Sequence, residues 1–257
     1  MLYSCFWTWS HLLLVCISNQ SLDPEEDALN KPWRPIPSRL ISVASARTLH
    51  WILLPSCLFL SAHLGTHWHS ISLALASVVY NELRFNSHGL MRNVCNAWAY
   101  ASFNAGAALI AAGASYYFFR PTWTHATRIT PFVIGQSTPT MRTAISVIVN
   151  TLVILSTIHS QDFRDQTGDK RAGRQTIPMV WPEGSRISIL VILVAWSVGL
   201  SWACGLAYLF SIPFCALAVF VGLRIFWKRT ADEDRQSFQY YTVRSHFPVM
   251  RTLHRQG

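Results

Sequence analysis

Long apolar runs recur along this chain, and an α-helix needs about 20 predominantly apolar residues to cross a lipid bilayer. Of the 257 residues, 51% are hydrophobic and only 13% are charged, whereas a soluble domain carries about 25% charged residues. No polar linker, low-complexity tract or internal repeat divides the chain. The sequence therefore predicts an all-α, polytopic transmembrane helix bundle that forms one domain over residues 1–257.

The positions of the runs and of the basic residues predict the topology. The predicted spans are 1–18, 40–62, 68–83, 94–118, 140–159, 186–203 and 205–227, with a weaker eighth at 237–250. The first run lacks the basic n-region and the cleavage site of a signal peptide, so we interpret it as a span. Most Lys and Arg residues then fall in loops on one face, which the positive-inside rule places in the cytosol. The net charge of +9 is explained by this topology and does not indicate nucleic-acid binding.

The acids are concentrated in two segments that the topology places on the same face. Seven of the twelve acids are Asp23, Glu25, Glu26 and Asp27, and Asp162, Asp165 and Asp169. We call residues 19–38, "NQSLDPEEDALNKPWRPIPS", the first acidic segment, and residues 162–178, "DFRDQTGDKRAGRQTIP", the second. Asn19, Asp23 and Asp27 recur every four residues, so a helix bent at Pro24 would place them on one face. The acids of the second segment are spaced three and four apart, which also fits one helical face.

Clustered carboxylates repel one another unless a cation neutralises them. Mg²⁺ prefers hard oxygen ligands and usually takes one or two carboxylates together with water and phosphate oxygens. Lys31 and Arg34 follow the first cluster, and Lys170, Arg171 and Arg174 follow the second, as suits a leaving diphosphate. We expect the prolines at 32, 35 and 37 to keep the first basic strip extended. The pattern favours a magnesium–diphosphate site, and the alternative is two solvated acidic loops.

These two segments resemble the signatures of the UbiA superfamily of intramembrane prenyltransferases. The first is similar to the family's NDxxDxxxD pattern with its RPIPSG-like strip, and the second to DxxxDxxGDxxxGxxTxP. The resemblance implies a bundle of usually nine helices and an isoprenyl diphosphate bound through two Mg²⁺ ions. It implies metal ligands at Asn19, Asp23, Asp27, Asp162, Asp165 and Asp169, with the catalytic roles on Asp23, Asp27, Asp165 and Asp169. It also implies phosphate binding by Lys31, Arg34, Lys170 and Arg174.

The chain departs from the family pattern in several places. About eight of the nine helices are recognisable, and we expect the family's helix before the one that carries the first signature to be missing from this sequence. Gln20 stands where the family usually has Asp, and Arg39 stands where it usually has Gly. The last predicted span carries Arg244 and His246, is followed directly by Arg251, and is poor for a membrane. An inactive, truncated paralogue is therefore one alternative.

The family includes terpene cyclases and prenyltransferases, and the acidic segments alone do not separate them. Residues 116–131, "YYFFRPTWTHATRITP", lack the YPxxKR-type loop common in aromatic prenyltransferases. Residues 80–107, "YNELRFNSHGLMRNVCNAWAYASFNAGA", are similar instead to the fungal UbiA-type terpene cyclases. We therefore expect a cyclase that converts farnesyl diphosphate to a sesquiterpene in secondary metabolism. The alternative is transfer of an isoprenyl chain to a small aromatic acceptor.

The same stretch places polar side chains in or near membrane spans. Substrate-binding candidates are Asn81, Glu82, Asn96 and Tyr100, because intramembrane polar groups often serve function. Interhelical hydrogen bonding is the alternative role, especially for Asn96 and Asn104. Aromatic candidates for stabilising a carbocation are Trp98, Tyr100, Phe103, Tyr116 and Tyr117. We expect an integral protein of the endoplasmic reticulum, surrounded by membrane lipid, that needs no obligatory protein partner.

Overall fold

This computed structural model describes residues 1–118 and 141–246, where all regular secondary structure is helical apart from one bridge between His88 and Gln175. The helices of the first part are α1 (Leu2–Leu22), α2 (Pro24–Asn30), α3 (Val43–His63), α4 (His67–Ser77) and α5 (Gly89–Phe118). Those of the second part are α6 (Met141–Thr157), α7 (Asp162–Arg171), α8 (Ile177–Val180), α9 (Pro182–Ala203), α10 (Tyr208–Trp227) and α11 (Ala231–His246). The all-α prediction is confirmed.

Four helical stretches are long and apolar enough to cross a membrane within the described ranges. They are Val43–His63, Met141–Arg171, Pro182–Ala203 and Tyr208–Trp227. The helices over predicted spans 1–18 and 94–118 are long but more polar, and α4, over 68–83, has only 11 residues. The predicted eighth span, 237–250, begins in the polar helix α11 and runs beyond the described residues. Among the described residues, helix length and apolarity alone therefore support fewer spans than the eight that the sequence predicted.

The outward faces of the apolar helices suit a lipid environment. On α3, Trp51 and Phe59 are exposed, and on α9 and α10 Trp202, Leu209 and Ile212 are exposed as well. A soluble monomer seldom exposes large apolar side chains so densely. In a bilayer these side chains contact hydrocarbon, and the polar groups are turned inward instead.

The chain forms two compact units. The first consists of Met1–Asn86 and Met91–Leu155, and its core forms around Trp7, which is fully buried against Leu64 and Ile110. The indole nitrogen of Trp7 donates to Ser61 Oγ at 2.8 Å, and His11 Nε2 lies 2.7 Å from Ser70 Oγ. These side-chain hydrogen bonds join α1 to α3 and α4, as is common between membrane helices.

The second unit consists of Ser87–Leu90 and the chain from Ser156 onward. Its apolar core gathers residues of α7, α9, α10 and α11, namely Phe163, Ile189, Leu193, Ala218, Val221, Ile225 and Tyr241. Gly222 allows α10 to approach α9, because a Cβ there would lie 2.9 Å from the Cα of Leu190. The short helix α7, which carries the three acids of the second acidic segment, is thus packed directly against the core of this unit.

Candidate functional site

The first acidic segment leaves the helical conformation at Asp23. Helix α1 ends at Leu22, Asp23 has φ −126° and ψ 56°, and α2 begins at Pro24. The expected helical face shared by Asn19, Asp23 and Asp27 is therefore wrong. The physical reason is that a residue before proline is disfavoured in the α conformation, while proline itself suits the first turn of a new helix.

Helix α2 turns two carboxylates inward. Asp27 is 1% exposed, and Nη1 of Arg34 donates to both of its oxygens at 2.8 Å. Nζ of Lys31 lies 4.0 Å from Asp27 and 3.9 Å from Glu26. Burial raises the pKa of the Asp27 carboxyl above its usual value, and the hydrogen bond from Arg34 opposes this rise. Glu25, two residues before Asp27, is exposed, so only part of the cluster is buried.

The basic strip after α2 forms successive turns, so the expectation of an extended strip is wrong. The backbone N–H of Arg34 donates to Lys31 O at 3.0 Å, and that of Ser38 donates to Arg34 O at 2.9 Å. Proline fixes φ near −65°, and this value is compatible with turns as well as with an extended chain. The turns return Arg34 to Asp27, seven residues earlier in the sequence.

Asp23 contacts two residues that the sequence analysis did not select. Nη1 of Arg84 lies 3.9 Å from Asp23, and Nδ2 of Asn86 lies 3.5 Å from its other oxygen. Both follow predicted span 68–83 and precede span 94–118, so the predicted topology puts them on the same face as the acidic segments. This shared face was the one feature of the sequence that pointed to Arg84 and Asn86 as neighbours of Asp23. The residue spacing of the two acidic segments did not indicate them.

The predicted substrate-binding residues Asn81 and Glu82 lie in the turn that follows α4, and both have partners within the first unit. Asn81 is buried, accepts a hydrogen bond from Asn19 at 3.2 Å and donates to Ser18 Oγ at 3.2 Å. Glu82 is half-exposed and pairs with Arg47 at 2.9 Å. Glu82 also lines a largely apolar cavity of about 350 Å³, whose walls include Leu14 and Leu73. Asn81 therefore connects α1 to the π-helical turn Val78–Glu82.

Helix α5 carries the remaining candidates. Nδ2 of Asn96 and Nδ2 of Asn104 have no hydrogen-bond partner among the described residues, and Tyr100 is 43% exposed. Trp98 donates to Ser72 Oγ at 2.8 Å, and Phe103 packs edge-on against Trp7. Trp98 and Phe103 are thus packing residues of the first unit. The side chains of Tyr116 and Tyr117, and most of residues 116–131, lie outside the described part.

The second acidic segment forms helix α7 with its three acids buried. Asp162 and Asp169 are fully buried and Asp165 is 3% exposed, so the predicted helical spacing is confirmed. Nη1 of Arg174 donates to Asp169 Oδ1 at 2.9 Å, and this arginine is buried as well. Gly173 has φ +69°, which ends the helix in a left-handed turn that favours glycine. Lys170, in contrast, is exposed.

The donor set of each segment suits a hard divalent cation. Within the described residues, no three His, Cys, Asp or Glu side chains come together as a closed metal-binding group. Mg²⁺ does not require such a group, because it usually keeps several waters and takes one or two carboxylates plus substrate phosphates. Asp23 and Asp27 in the first unit, and Asp162, Asp165 and Asp169 in the second, are carboxylates of this kind.

Comparison with known proteins identifies the family. A sequence model described as the UbiA prenyltransferase family matches residues 1–244. The chain belongs to this family. A solved structure of digeranylgeranylglyceryl phosphate synthase has the same fold, with a TM-score of 0.57 and 18% identity over 95% of this chain and 82% of that one. The family match, the shared fold and the four apolar helical stretches identify the chain as an integral membrane protein of the UbiA fold.

Two relatives differ in the reaction that their names state. The fumagillin beta-trans-bergamotene synthase of Aspergillus fumigatus is 28% identical over 195 residues, which are 76% of this chain and 60% of that protein. A polyprenyl transferase of Hericium erinaceus is 26% identical over 241 residues, which are 92% of this chain and 74% of that protein. The chain thus spans less than two thirds of the length of the first relative.

Proposed function

We propose that this chain is a membrane enzyme that ionises an isoprenyl diphosphate with the help of Mg²⁺. The observation that carries the proposal is a pairing repeated in both acidic segments. A buried carboxylate, Asp27 or Asp169, is hydrogen-bonded to an arginine from the strip that follows it, Arg34 or Arg174. Carboxylates for the cation and guanidinium groups for the phosphate thus occur together in each unit.

The proposed roles follow from the chemistry of the side chains. Asn19, Asp23 and Asp27 would hold one Mg²⁺, and Asp162, Asp165 and Asp169 the other. Mg²⁺, when bound, neutralises negative charge on the departing diphosphate. Arg34 and Arg174 would bind phosphate oxygens through planar, bidentate contacts, and Lys31 and Lys170 would act as mobile point charges. Asn81, Glu82, Asn96 and Tyr100 would contact the isoprenyl chain or the product formed from it.

Cyclisation is the reaction that we favour, with farnesyl diphosphate as substrate and a sesquiterpene as product of secondary metabolism. Two observations support it: the similarity of residues 80–107 to the fungal cyclases, and the relative named as a beta-trans-bergamotene synthase. Prenyl transfer to a small aromatic acceptor is the second candidate, and the relative named as a polyprenyl transferase favours it. The proposed location is the endoplasmic reticulum, with the acidic segments on the cytosolic side.

Products formed with and without an acceptor separate these reactions. Microsomes that contain the protein receive farnesyl or geranylgeranyl diphosphate with Mg²⁺, first alone and then with a panel of small phenols. A cyclised hydrocarbon formed without acceptor supports the cyclase. Product that forms only with a phenol contradicts cyclisation and supports transfer. No diphosphate release under either condition supports the inactive paralogue and contradicts both reactions.

A further inference from the structure

Arg186, near the start of α9, is a buried cation that neither signature includes. Its guanidinium donates to Asp234 Oδ1 at 2.9 Å and to Oδ2 at 2.8 Å. It also donates to the backbone carbonyls of Ile225 and Lys228, where α10 ends. Arg186 is 6% exposed and Asp234 2%. A buried pair with two parallel hydrogen bonds has a fixed geometry, because the planar guanidinium faces both carboxylate oxygens at once.

The same guanidinium lies over a residue of the second acidic segment. The Cζ atom of Arg186 is 4.4 Å from the centre of the Phe163 ring. Phe163 follows Asp162 directly and packs into the core of the second unit with Ile189 and Ile225. The ring face attracts the guanidinium electrostatically, and this attraction is stronger when both groups are removed from water. Arg186 thus contacts the first turn of α7 from the side of the core.

A second stacked arginine holds the next residue of α7. The Cζ atom of Arg164 lies 4.1 Å from the centre of the Phe238 ring on α11, and its Nε lies 3.5 Å from Asp165. The side chains at 163 and 164 therefore attach α7 to different elements of the second unit. Together they limit rotation of α7 about its axis, and that rotation sets where the carboxylates of Asp162 and Asp165 point.

We propose that Arg186, held by Asp234, is a positioning residue that orients the carboxylates of α7 for Mg²⁺ through its stack on Phe163. This inference rests on the proposed function, because it assumes that α7 binds the metal. Partners that orient metal ligands typically affect metal affinity by about 10- to 100-fold. A purely structural ion pair would instead affect the stability of the fold and leave the magnesium response unchanged.

A neighbouring ion pair provides a matched control. Glu183, three residues before Arg186 on α9, binds Arg229 through two hydrogen bonds of 2.7 and 2.9 Å. This pair also joins α9 to the connection between α10 and α11. Both of its side chains are exposed, and neither hydrogen-bonds to nor stacks on a residue of α7 within the described contacts. Arg229→Gln therefore removes an ion pair at the same junction without touching the acidic segment.

The experiment compares Arg186→Gln, Phe163→Leu, the double variant Arg186→Met/Asp234→Leu and the control Arg229→Gln in purified protein. Two quantities are measured: the Tm without metal, and the Mg²⁺ concentration that gives half of the maximal Tm increase.

Arg186→Gln should lower the Tm, because it leaves Asp234 buried without its partner, and the apolar double variant should recover most of that loss. Arg186→Gln, Phe163→Leu and the double variant should each raise the half-saturating Mg²⁺ concentration by about 10-fold. Arg229→Gln should leave that concentration unchanged.

The double variant decides between the two roles. A double variant with recovered Tm and an unchanged magnesium response would overturn the positioning role, because only the ion pair would then have mattered. An unchanged response in Phe163→Leu would do the same, even if Arg186→Gln failed to fold. A wild-type chain that neither responds to Mg²⁺ nor releases diphosphate would instead overturn the proposed function, and this inference with it.

Discussion

At the scale of single residues, one carboxylate and one arginine of each acidic segment neutralise each other. Arg34 contacts both oxygens of Asp27, and Arg174 contacts Asp169. Removal of one partner of a buried pair costs about 3–5 kcal/mol, because the other charge is left uncompensated. Mg²⁺ at the carboxylate and phosphate at the arginine would together replace these pairs without leaving either charge alone. Metal and diphosphate are therefore expected to bind better together than separately.

Asp27 gives this site a definite pH dependence. Because its folded pKa is raised by burial, the protonated carboxyl contributes stability that is present below the unfolded pKa and lost as pH rises through the folded pKa. Mg²⁺ requires the ionised form, so protons compete with it in this window. We expect the Mg²⁺-induced increase in Tm to become smaller as the pH falls. The decrease should begin above about pH 4, which is the ordinary pKa of an aspartate.

A titration of the Tm increase against pH at fixed Mg²⁺ measures this effect. The exposed Glu25 provides the control, since Glu25→Gln should leave the pH profile unchanged. A magnesium response that stays constant down to the ordinary pKa of aspartate would contradict the assignment of Asp27.

At the scale of elements, the apolar runs predicted the helices, but the pattern did not predict how the first acidic segment bends. The four-residue spacing from Asn19 to Asp27 fits a helix, and the break at Asp23 depends on how Pro24 constrains its predecessor. Similarly, prolines at 32, 35 and 37 allow both turns and extended chain. Backbone hydrogen bonds and the Asp27–Arg34 contact select the turns, and the positions of the prolines alone do not specify these contacts. Burial of Asp27 beside an exposed Glu25 was likewise not predictable, because it depends on packing.

The turn at Arg39 explains the family's usual glycine at this position. Arg39 has φ +62°, and a residue with a Cβ pays about 1–2 kcal/mol for the left-handed conformation. Arg39→Gly should therefore have a higher Tm than Arg39→Ala, although both lose the same guanidinium. Thermal unfolding of the two variants measures the difference. Equal values, or a more stable alanine variant, would show that the turn does not impose a left-handed residue.

The close contact of α5 with α1 gives a paired prediction. A Cβ on Gly106 would lie 2.5 Å from the Trp7 ring, whereas a Cβ on Gly199 in α9 would meet open space. Gly106→Ala should lower stability by about 1–3 kcal/mol through overpacking. Gly199→Ala should leave the Tm unchanged or raise it, because alanine favours the helix by about 1 kcal/mol. Similar Tm changes in both variants would contradict the described packing of Trp7.

At the scale of the whole molecule, the sequence gives the fold class and the family more directly than it gives the number of spans. Apolar composition and the two acidic segments led to a membrane helix bundle of the UbiA family, which the family match over residues 1–244 confirms. Only four helical stretches are sufficiently apolar by themselves within the described residues. Polar side chains make helices such as α1 and α5 less apolar. The polar groups of Trp7, His11 and Trp98, however, form hydrogen bonds with serines of neighbouring helices. Tertiary hydrogen bonds therefore compensate for polarity that a single-helix criterion penalises.

Mg²⁺-dependent release of diphosphate from farnesyl diphosphate tests the central claim most directly. Microsomes with the wild-type chain should release diphosphate when Mg²⁺ is present and not when it is removed by a chelator. Asp27→Asn and Asp165→Asn should each reduce this release by orders of magnitude while membrane insertion persists. Asp232→Asn, which changes an exposed carboxylate outside both segments, should release diphosphate at the wild-type rate. Near-normal release by Asp27→Asn or Asp165→Asn would contradict the assigned roles, and release that is indifferent to Mg²⁺ would contradict the mechanism.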